Sequence, residues 1–167
     1  MVNRNLWLVL LLLPFAAFRL PGKESIVMNE KEQRDGVVFP VKHISVTIHR
    51  SADEVYRFAS KYKNLPQWAA GLSGSIRQEG SVWVADSPMG KVEVEFAPDN
   101  PFGILDHKVT LPSGEAVYNP MRVIPNNKGC EVVFTLYQLP GRSTAEFVED
   151  AGMVEKDLIR LKQIMEQ

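Results

Sequence analysis

Apolar and polar residues alternate along most of the chain after residue 40, and the alternation gives way to one amphipathic helix at the end. Residues 41–49 predict a half-buried strand, because apolar Ile44, Val46 and Ile48 alternate with polar residues from His43 to His49. Six later runs are bounded by Gly, Pro, Asn or Asp and predict further strands at residues 75–78, 82–86, 91–97, 105–111, 115–124 and 131–139. The links between them are too short for crossover helices, so the predicted sheet is antiparallel.

Helical signals stand at two places. Ser51 and Glu54 form a capping box for a short helix that runs to about residue 62, and residues 66–68 begin a second helical turn. Ser143 and Glu146 form a second capping box, before a helix that runs to about Met165. Its apolar stripe consists of Phe147, Ala151, Val154, Leu158, Leu161 and Met165. Its carboxylates fall mainly off that stripe and are predicted to form a solvated face: Glu146, Glu149, Asp150, Glu155 and Asp157.

This order of elements predicts an α+β domain over residues 41–167. We expect a curved antiparallel sheet of about seven strands, two short helices after the first strand, and a long C-terminal helix across the concave face. A straight helix contacts a concave sheet best along its rims. The fold therefore predicts an internal cavity between the sheet and the helix.

Residues 1–40 form an N-terminal extension with two interpretations. Residues 6–18 are apolar, too few for a membrane span of about 20 residues but suited to the core of a signal peptide. The alternative is that translation starts at Met28, which opens a polar segment typical of a cytosolic N-terminus. A Met28 start predicts a cytoplasmic protein, whereas a signal peptide predicts a secreted or periplasmic one.

Composition narrows the function classes. The 167 residues carry a net charge of −1 and are 45% hydrophobic, which fits one globular domain without the basic excess of a nucleic-acid-binding protein. Cys130 is the single cysteine, so no intramolecular disulfide forms, and we expect it to be a small buried hydrophobe. His43 and His49 are about 20 Å apart on one strand and cannot share a metal ion. We predict neither a metal nor a cofactor.

Several strings resemble a known superfamily. They are HISVTIHRSADEVYRFASKYKNLPQWA, FGILDHKVTLPSGE, YNPMRVIPNNKGCEVVFTL and AEFVEDAGMVEKDLIRLKQIME. Together they make residues 41–165 similar to the SRPBCC or START-like superfamily, and to a bacterial branch of it. That superfamily has the helix-grip fold of the birch-pollen allergen, START lipid-transfer domains and polyketide cyclases/dehydrases. The resemblance implies the fold, but the superfamily includes carriers, receptors and enzymes, so it does not fix an activity.

His107 is the strongest candidate for chemistry. The alternation puts it on the inner face of its strand with Leu105, Val109 and Leu111, and puts Asp106, Lys108 and Thr110 on the outer face. An inward imidazole can bind a ligand oxygen or act as a general acid or base. The alternative is a neutral core histidine that is satisfied by a local partner.

Asn119 and Arg122 flank Pro120, which predicts a bulge or an edge within the strand at 115–124. Arg122 is a candidate for holding a ligand carboxylate, and Asn119 for binding a carbonyl group. The alternative places Arg122 in solvent, paired with Glu131.

The predicted cavity lining draws on the inner faces of the strands, the second short helix and the long helix. It consists of Trp68, Trp83, Phe96, His107, Asn119, Met121, Phe134, Phe147, Ala151, Val154 and Leu158. These large apolar side chains are suited both to lining a cavity and to filling it. No catalytic residue is assigned.

Three functions fit these features. The favoured one is the binding or carriage of a small hydrophobic molecule, which is lipid-like, aromatic or polyketide-like. The second is a cyclase or dehydratase acting on a conjugated ketone, for which the sequence offers only His107 as an inward titratable group. The third is a protein with a filled core that modulates a partner. No membrane span is predicted in the domain, and the oligomeric state, a homodimer included, is left open.

Overall fold

The computed structural model describes residues 38–71, 75–87 and 90–167. The apolar segment 6–18 and the proposed start at Met28 lie outside the described residues. Within the described part of the chain, no helix is long and apolar enough to cross a membrane.

The elements follow the predicted order. The strands are β1 (Val41–Ile48), β2 (Ile76–Glu79), β3 (Val82–Ser87), β4 (Gly90–Phe96), β5 (His107–Thr110), β6 (Ala116–Asn119), β7 (Met121–Asn126) and β8 (Gly129–Tyr137). The helices are α1 (Ala52–Ala59), α2 (Leu65–Trp68) and α3 (Thr144–Met165), with a 3-10 turn at Tyr62–Asn64. The predicted α+β fold, with a curved antiparallel sheet, short helices after β1 and a long C-terminal helix, is confirmed.

The strands form two hydrogen-bonded sheets that meet at Pro120. The three-stranded sheet has the order β1-β8-β7 and the five-stranded sheet the order β2-β3-β4-β5-β6, and all pairs are antiparallel. The strand predicted at residues 115–124 is therefore two strands, β6 and β7, because Pro120 has no N–H group for the ladder. This break accounts for eight described strands where about seven were expected. Leu105 N–H donates to Met121 O at 2.9 Å and links the segment before β5 to β7.

Both predicted capping boxes are present. Glu54 N–H donates to the Ser51 hydroxyl, and the Glu54 carboxylate accepts from Ser51 N–H, which fixes the start of α1. Ser143 and Glu146 make the same reciprocal pair at α3. These local hydrogen bonds satisfy N–H groups that the first helical turn leaves without partners.

The long helix α3 packs against β1, α2 and β8. Leu158 and Leu161 of its stripe are fully buried, and Phe147 packs against the core with part of its ring exposed. Lys162 Nζ donates to Thr47 O at 2.7 Å, which fastens the C-terminal end of the helix to β1.

Two carboxylates of α3 do not lie on a solvated face, so that part of the prediction is wrong. Asp150 is only 9% exposed, and it follows Phe147 by almost one turn. Asp157 precedes Leu158 and accepts a hydrogen bond from Ala70 N–H at 3.0 Å. Burial raises the pKa of Asp157 to about 6, although this hydrogen bond opposes the shift. The buried face of α3 is therefore wider than its apolar residues alone indicate.

Asp157→Asn tests the burial of this carboxylate. The folded protein holds the Asp157 proton up to about pH 6, above the ordinary pKa of 3.8, so ionisation destabilises the folded state as the pH rises through that window. The amide keeps the acceptor for Ala70 and carries no charge. We expect the variant to gain roughly 1–2 kcal/mol of unfolding free energy at pH 7.5, and much less at pH 4.

Urea unfolding at the two pH values measures this difference. Glu155→Gln is the matched control, because Glu155 is an exposed carboxylate on the same helix. A gain that is equal at both pH values, or that also appears in the control, contradicts the prediction.

Candidate functional site

Five rings lie in succession on the inner side of the sheet, and we call them the aromatic row: Tyr62, Trp83, Phe96, His107 and Phe134. Tyr62 stacks on Trp83 with a centroid distance of 4.6 Å and an interplanar angle of 5°, and it meets Phe96 edge-on at 5.0 Å. His107 lies 5.2 Å from Phe96 and 6.2 Å from Phe134. The row therefore runs from the 3-10 turn across β3, β4 and β5 to β8.

Strand register explains why these rings meet. Phe96 pairs with His107, and His107 pairs with Asn119 on its other side. Directly opposed residues of antiparallel strands project to the same face with Cβ atoms about 4.5–5.5 Å apart. The sequence prediction that His107 and Phe96 share the inner face is consistent with this register.

Tyr62 was missed by the sequence analysis. It follows Val55, Phe58 and Ala59 at the spacing of one helical face, and this was the available signal. Its hydroxyl oxygen accepts a hydrogen bond from Phe96 N–H at 3.0 Å, at a position where β3 no longer supplies a partner.

One ring nitrogen of His107 is hydrogen-bonded within the described residues. Nδ1 lies 3.1 Å from Leu105 O, and since a carbonyl oxygen only accepts, Nδ1 holds the proton. Burial lowers the pKa of His107, and the hydrogen bond to Leu105 opposes that shift only partly. The neutral ring therefore offers a lone pair at Nε2, which has no hydrogen-bond partner among residues 38–71, 75–87 and 90–167. The predicted local backbone partner is present, and ligand contact stays a prediction.

The Arg122 guanidinium is already paired within the protein, so the prediction that it holds a ligand carboxylate gains no support. It forms an ion pair with Asp106, and its Nη1 also donates to Met121 O at 2.9 Å. The expected pairing with Glu131 is likewise wrong, because Glu131 accepts from Asn126 Nδ2 at 3.2 Å.

Asp106 is buried, contrary to the prediction that it points outward. Its carboxylate accepts from Met121 N–H at 2.9 Å and from the Tyr118 hydroxyl, in addition to its ion pair with Arg122. Regular pairing in β5 begins only at His107, so the alternation of the strand does not extend back to residue 106. The hydrogen bonds and the ion pair of Asp106 stabilise the junction between the three-stranded and the five-stranded sheet.

The other predicted lining residues fall into two groups. Trp83, Phe96 and Phe134 join the row, and Asn119 lies beside it. The rest belong to the hydrophobic core or pack against it: Trp68, Met121, Phe147, Ala151, Val154 and Leu158. The structure brings the first group together in and beside the row, whereas the second group belongs to the hydrophobic core or packs against it.

A groove of about 430 Å³ opens beside the row, between α1 and the segments that flank β4 and β5. Its lining includes Tyr62 and Phe96 of the row, together with Leu105, Arg57 and Lys61. This volume lies in the range of roughly 300–1,000 Å³ that is typical of ligand pockets. The groove gives the row an approach from solvent.

A second opening, which we call the polar cleft, lies between β6, the end of β8 and the start of α3. Asn119, Arg142, Phe147 and Asp150 line it. The Arg142 side chain is only 8% exposed, and its Nη1 lies 3.6 Å from Glu146 Oε1. Burial raises the pKa of Asp150, with Arg142 opposing the shift. Sequence patterns gave no signal for Arg142, which precedes the helix in a loop.

Potential metal ligands are dispersed over the described residues, and the single thiol is buried. No group of three His, Cys, Asp or Glu side chains is placed to hold a metal ion within residues 38–71, 75–87 and 90–167. Burial raises the pKa of the Cys130 thiol to about 11, so it remains protonated at neutral pH.

Solved structures share this fold at low sequence identity. The Aha1 dimer of Colwellia psychrerythraea matches with a TM-score of 0.60 and 14% identity, over 76% of this chain and 96% of its own. Ara h 8.0201 matches with a TM-score of 0.56 and 11% identity, over 77% of this chain and 98% of its own. DynU16 of the dynemicin biosynthetic locus matches at 0.57 and 18%, over 76% of this chain and 47% of its own.

These likenesses confirm the predicted START-like fold. They are too distant in sequence to carry an activity across. No protein-family model matches the chain, and no curated protein matches it.

The acid titration of His107 provides a direct test of the site. The pKa of His107 in the folded state lies below the ordinary value of 6.5. As the pH falls below 6.5, the unfolded chain therefore binds a proton at His107 before the folded protein does, and the free energy of unfolding decreases. We expect the ring protons of His107 to titrate in an NMR experiment well below pH 6.5. The spectrum of His107→Gln assigns the resonance. Titration at or above the ordinary pKa would show that the ring is solvated or paired with a carboxylate.

Proposed function

We propose that this protein binds a small aromatic or other apolar molecule along the aromatic row. The observation that carries the proposal is a continuous series of rings in which His107 lies between Phe96 and Phe134. Its acceptor Nε2 has no partner among the described residues. Trp83, Phe96 and His107 are only partly buried, although they lie on the inner side of the sheet. Partly exposed rings in a concave surface are typical of ligand sites.

The groove supports this proposal because it reaches two rings of the row. Tyr62 and Phe96 line the groove, and Arg57 and Lys61 stand among its other lining residues. A flat apolar molecule that enters there meets ring faces and edges, with centroid separations of about 4.5–7 Å in favourable pairs. Tyr62, Phe96 and Leu105 give the groove an apolar wall, which favours an apolar ligand.

The expected affinity is modest. Burial of about 300 Å² of apolar ligand surface at ~25 cal/mol/Å² gives roughly 7 kcal/mol before the costs of association. Losses of translational and rotational freedom reduce this figure, so a dissociation constant in the micromolar range or weaker is expected.

The enzymatic alternative gains no separate support. A cyclase or dehydratase needs titratable groups that converge on a substrate. On the row, the described residues supply His107 and the Tyr62 hydroxyl, whose oxygen already accepts from Phe96 N–H. Binding is therefore the function that we advance.

The partner-modulating alternative would need a broad exposed apolar surface, and the exposed hydrophobic side chains of the described residues are scattered along the chain. Phe102 and Ile124 are exposed, and the adjacent residues are joined by the hydrogen bond from Val123 N–H to Gly103 O at 2.8 Å. Exposed hydrophobic side chains that stand singly are normal on a protein surface.

His107→Ala tests the proposal with 2-methylnaphthalene as the probe. The substitution removes the ring between Phe96 and Phe134 and leaves the core under α3 in place. We expect the affinity to fall about tenfold, which is about 1.4 kcal/mol, with a small change in unfolding free energy. Chemical-shift titration of the full chain, followed at the amides of residues 96 and 107, measures the affinity.

His43→Ala is the matched control, since His43 is exposed on β1 and its Nδ1 lies 3.1 Å from the Thr135 hydroxyl. It should bind the probe like the wild type. Equal losses in both variants, or no binding to the wild type, would contradict the proposal.

A further inference from the structure

The polar cleft holds two buried ionisable side chains that each lack a partner at one atom. Arg142 Nη2 and Asp150 Oδ1 are both buried, and neither forms a hydrogen bond with the described residues. No ion pair within 4.0 Å joins the two side chains. A buried polar atom without a partner destabilises the folded state, and native structures carry only a few such atoms, each of which needs an explanation.

The chemistry of these two atoms determines which kind of group can pair with both of them. A guanidinium nitrogen only donates hydrogen bonds, and a carboxylate oxygen only accepts them. One group that satisfies both Arg142 and Asp150 must therefore accept from the first and donate to the second. Water and a hydroxyl group do this with a single oxygen atom, whereas a carboxylate or a fully ionised phosphate has no proton for Asp150.

The size of the polar cleft also favours a water molecule or a single hydroxyl group. The volume of the cleft that is open to the centre of a water molecule is about 10 Å³. This is close to the smallest space that holds one water. The cleft therefore has room for one oxygen atom at the end of a larger molecule, but not for a bulky anionic group.

The position of the cleft connects it to the aromatic row. Asn119 lines the cleft, and it pairs across the strands with His107. Leu136 and Phe147 supply apolar walls next to the two charged groups. Asn119 therefore stands next to His107 of the row and also lines the cleft, so the row and the cleft adjoin at this residue.

We propose that the molecule bound on the row is an alcohol or a phenol, whose hydroxyl oxygen accepts from Arg142 Nη2 and donates to Asp150 Oδ1. In the empty protein a water molecule takes the same place. The inference rests on the proposed function, since it names the class of ligand that the row receives.

The test compares 2-naphthol with 2-methylnaphthalene, which have the same ring system and differ in a hydroxyl or methyl group. With the full chain we expect 2-naphthol to bind about tenfold more tightly, and to shift the NMR resonances of Arg142 and Asp150. The double variant Arg142→Met, Asp150→Leu leaves neither charged group unpaired and should fold. It should bind both probes with equal affinity, close to that of wild type for 2-methylnaphthalene.

Two further variants separate the alternatives. Glu149→Leu changes the exposed neighbour of Asp150 and should keep the tenfold preference. If the preference survives in the double variant and disappears in His107→Phe, the hydroxyl binds at His107 and the inference is wrong. Equal affinity of the wild type for both probes would mean that the cleft holds water only. If neither probe binds, the proposed function itself fails and the hydroxyl site with it.

Discussion

The pairing of the first strand with the last is the interaction on which the rest of the structure depends. β1 and β8 pair along their whole length, from Val41 opposite Tyr137 to Ile48 opposite Cys130. The chain between them must curve from one end of the sheet to the other, and α3 must return over β1 as it leaves β8. The bond from Lys162 to Thr47 holds it there. The inner surface that carries the aromatic row follows from this closure.

On that inner surface, stability and function make different demands. A core built for stability alone would contain apolar side chains, because each unpaired buried polar atom lowers stability. Here Arg142 Nη2 and Asp150 Oδ1 are buried and lack partners in the described chain, in the loop before α3 and on α3 itself. On β5, the partly buried His107 has a described hydrogen bond only at Nδ1. The functional argument comes from these atoms and the rings beside them, since neighbours at 11–18% identity establish only the fold.

Local rules predicted what depends on local structure. The strand order, both capping boxes and the stripe of α3 could be predicted because alternation, helical spacing and cap residues act within a few positions. The pairing of Arg122 with Asp106 could not, because regular pairing in β5 begins only at His107. The burial of Asp157 likewise depends on Ala70, which lies far away in the sequence. Such contacts arise from tertiary packing.

Isotope-filtered NOE spectroscopy of the full chain with unlabelled 2-methylnaphthalene tests the central claim most directly, because it locates the bound molecule. The account predicts contacts from the probe to the ring protons of Phe96, His107 and Phe134. Contacts confined to the outer surface around Phe102 and Ile124, with none to the row, would contradict it.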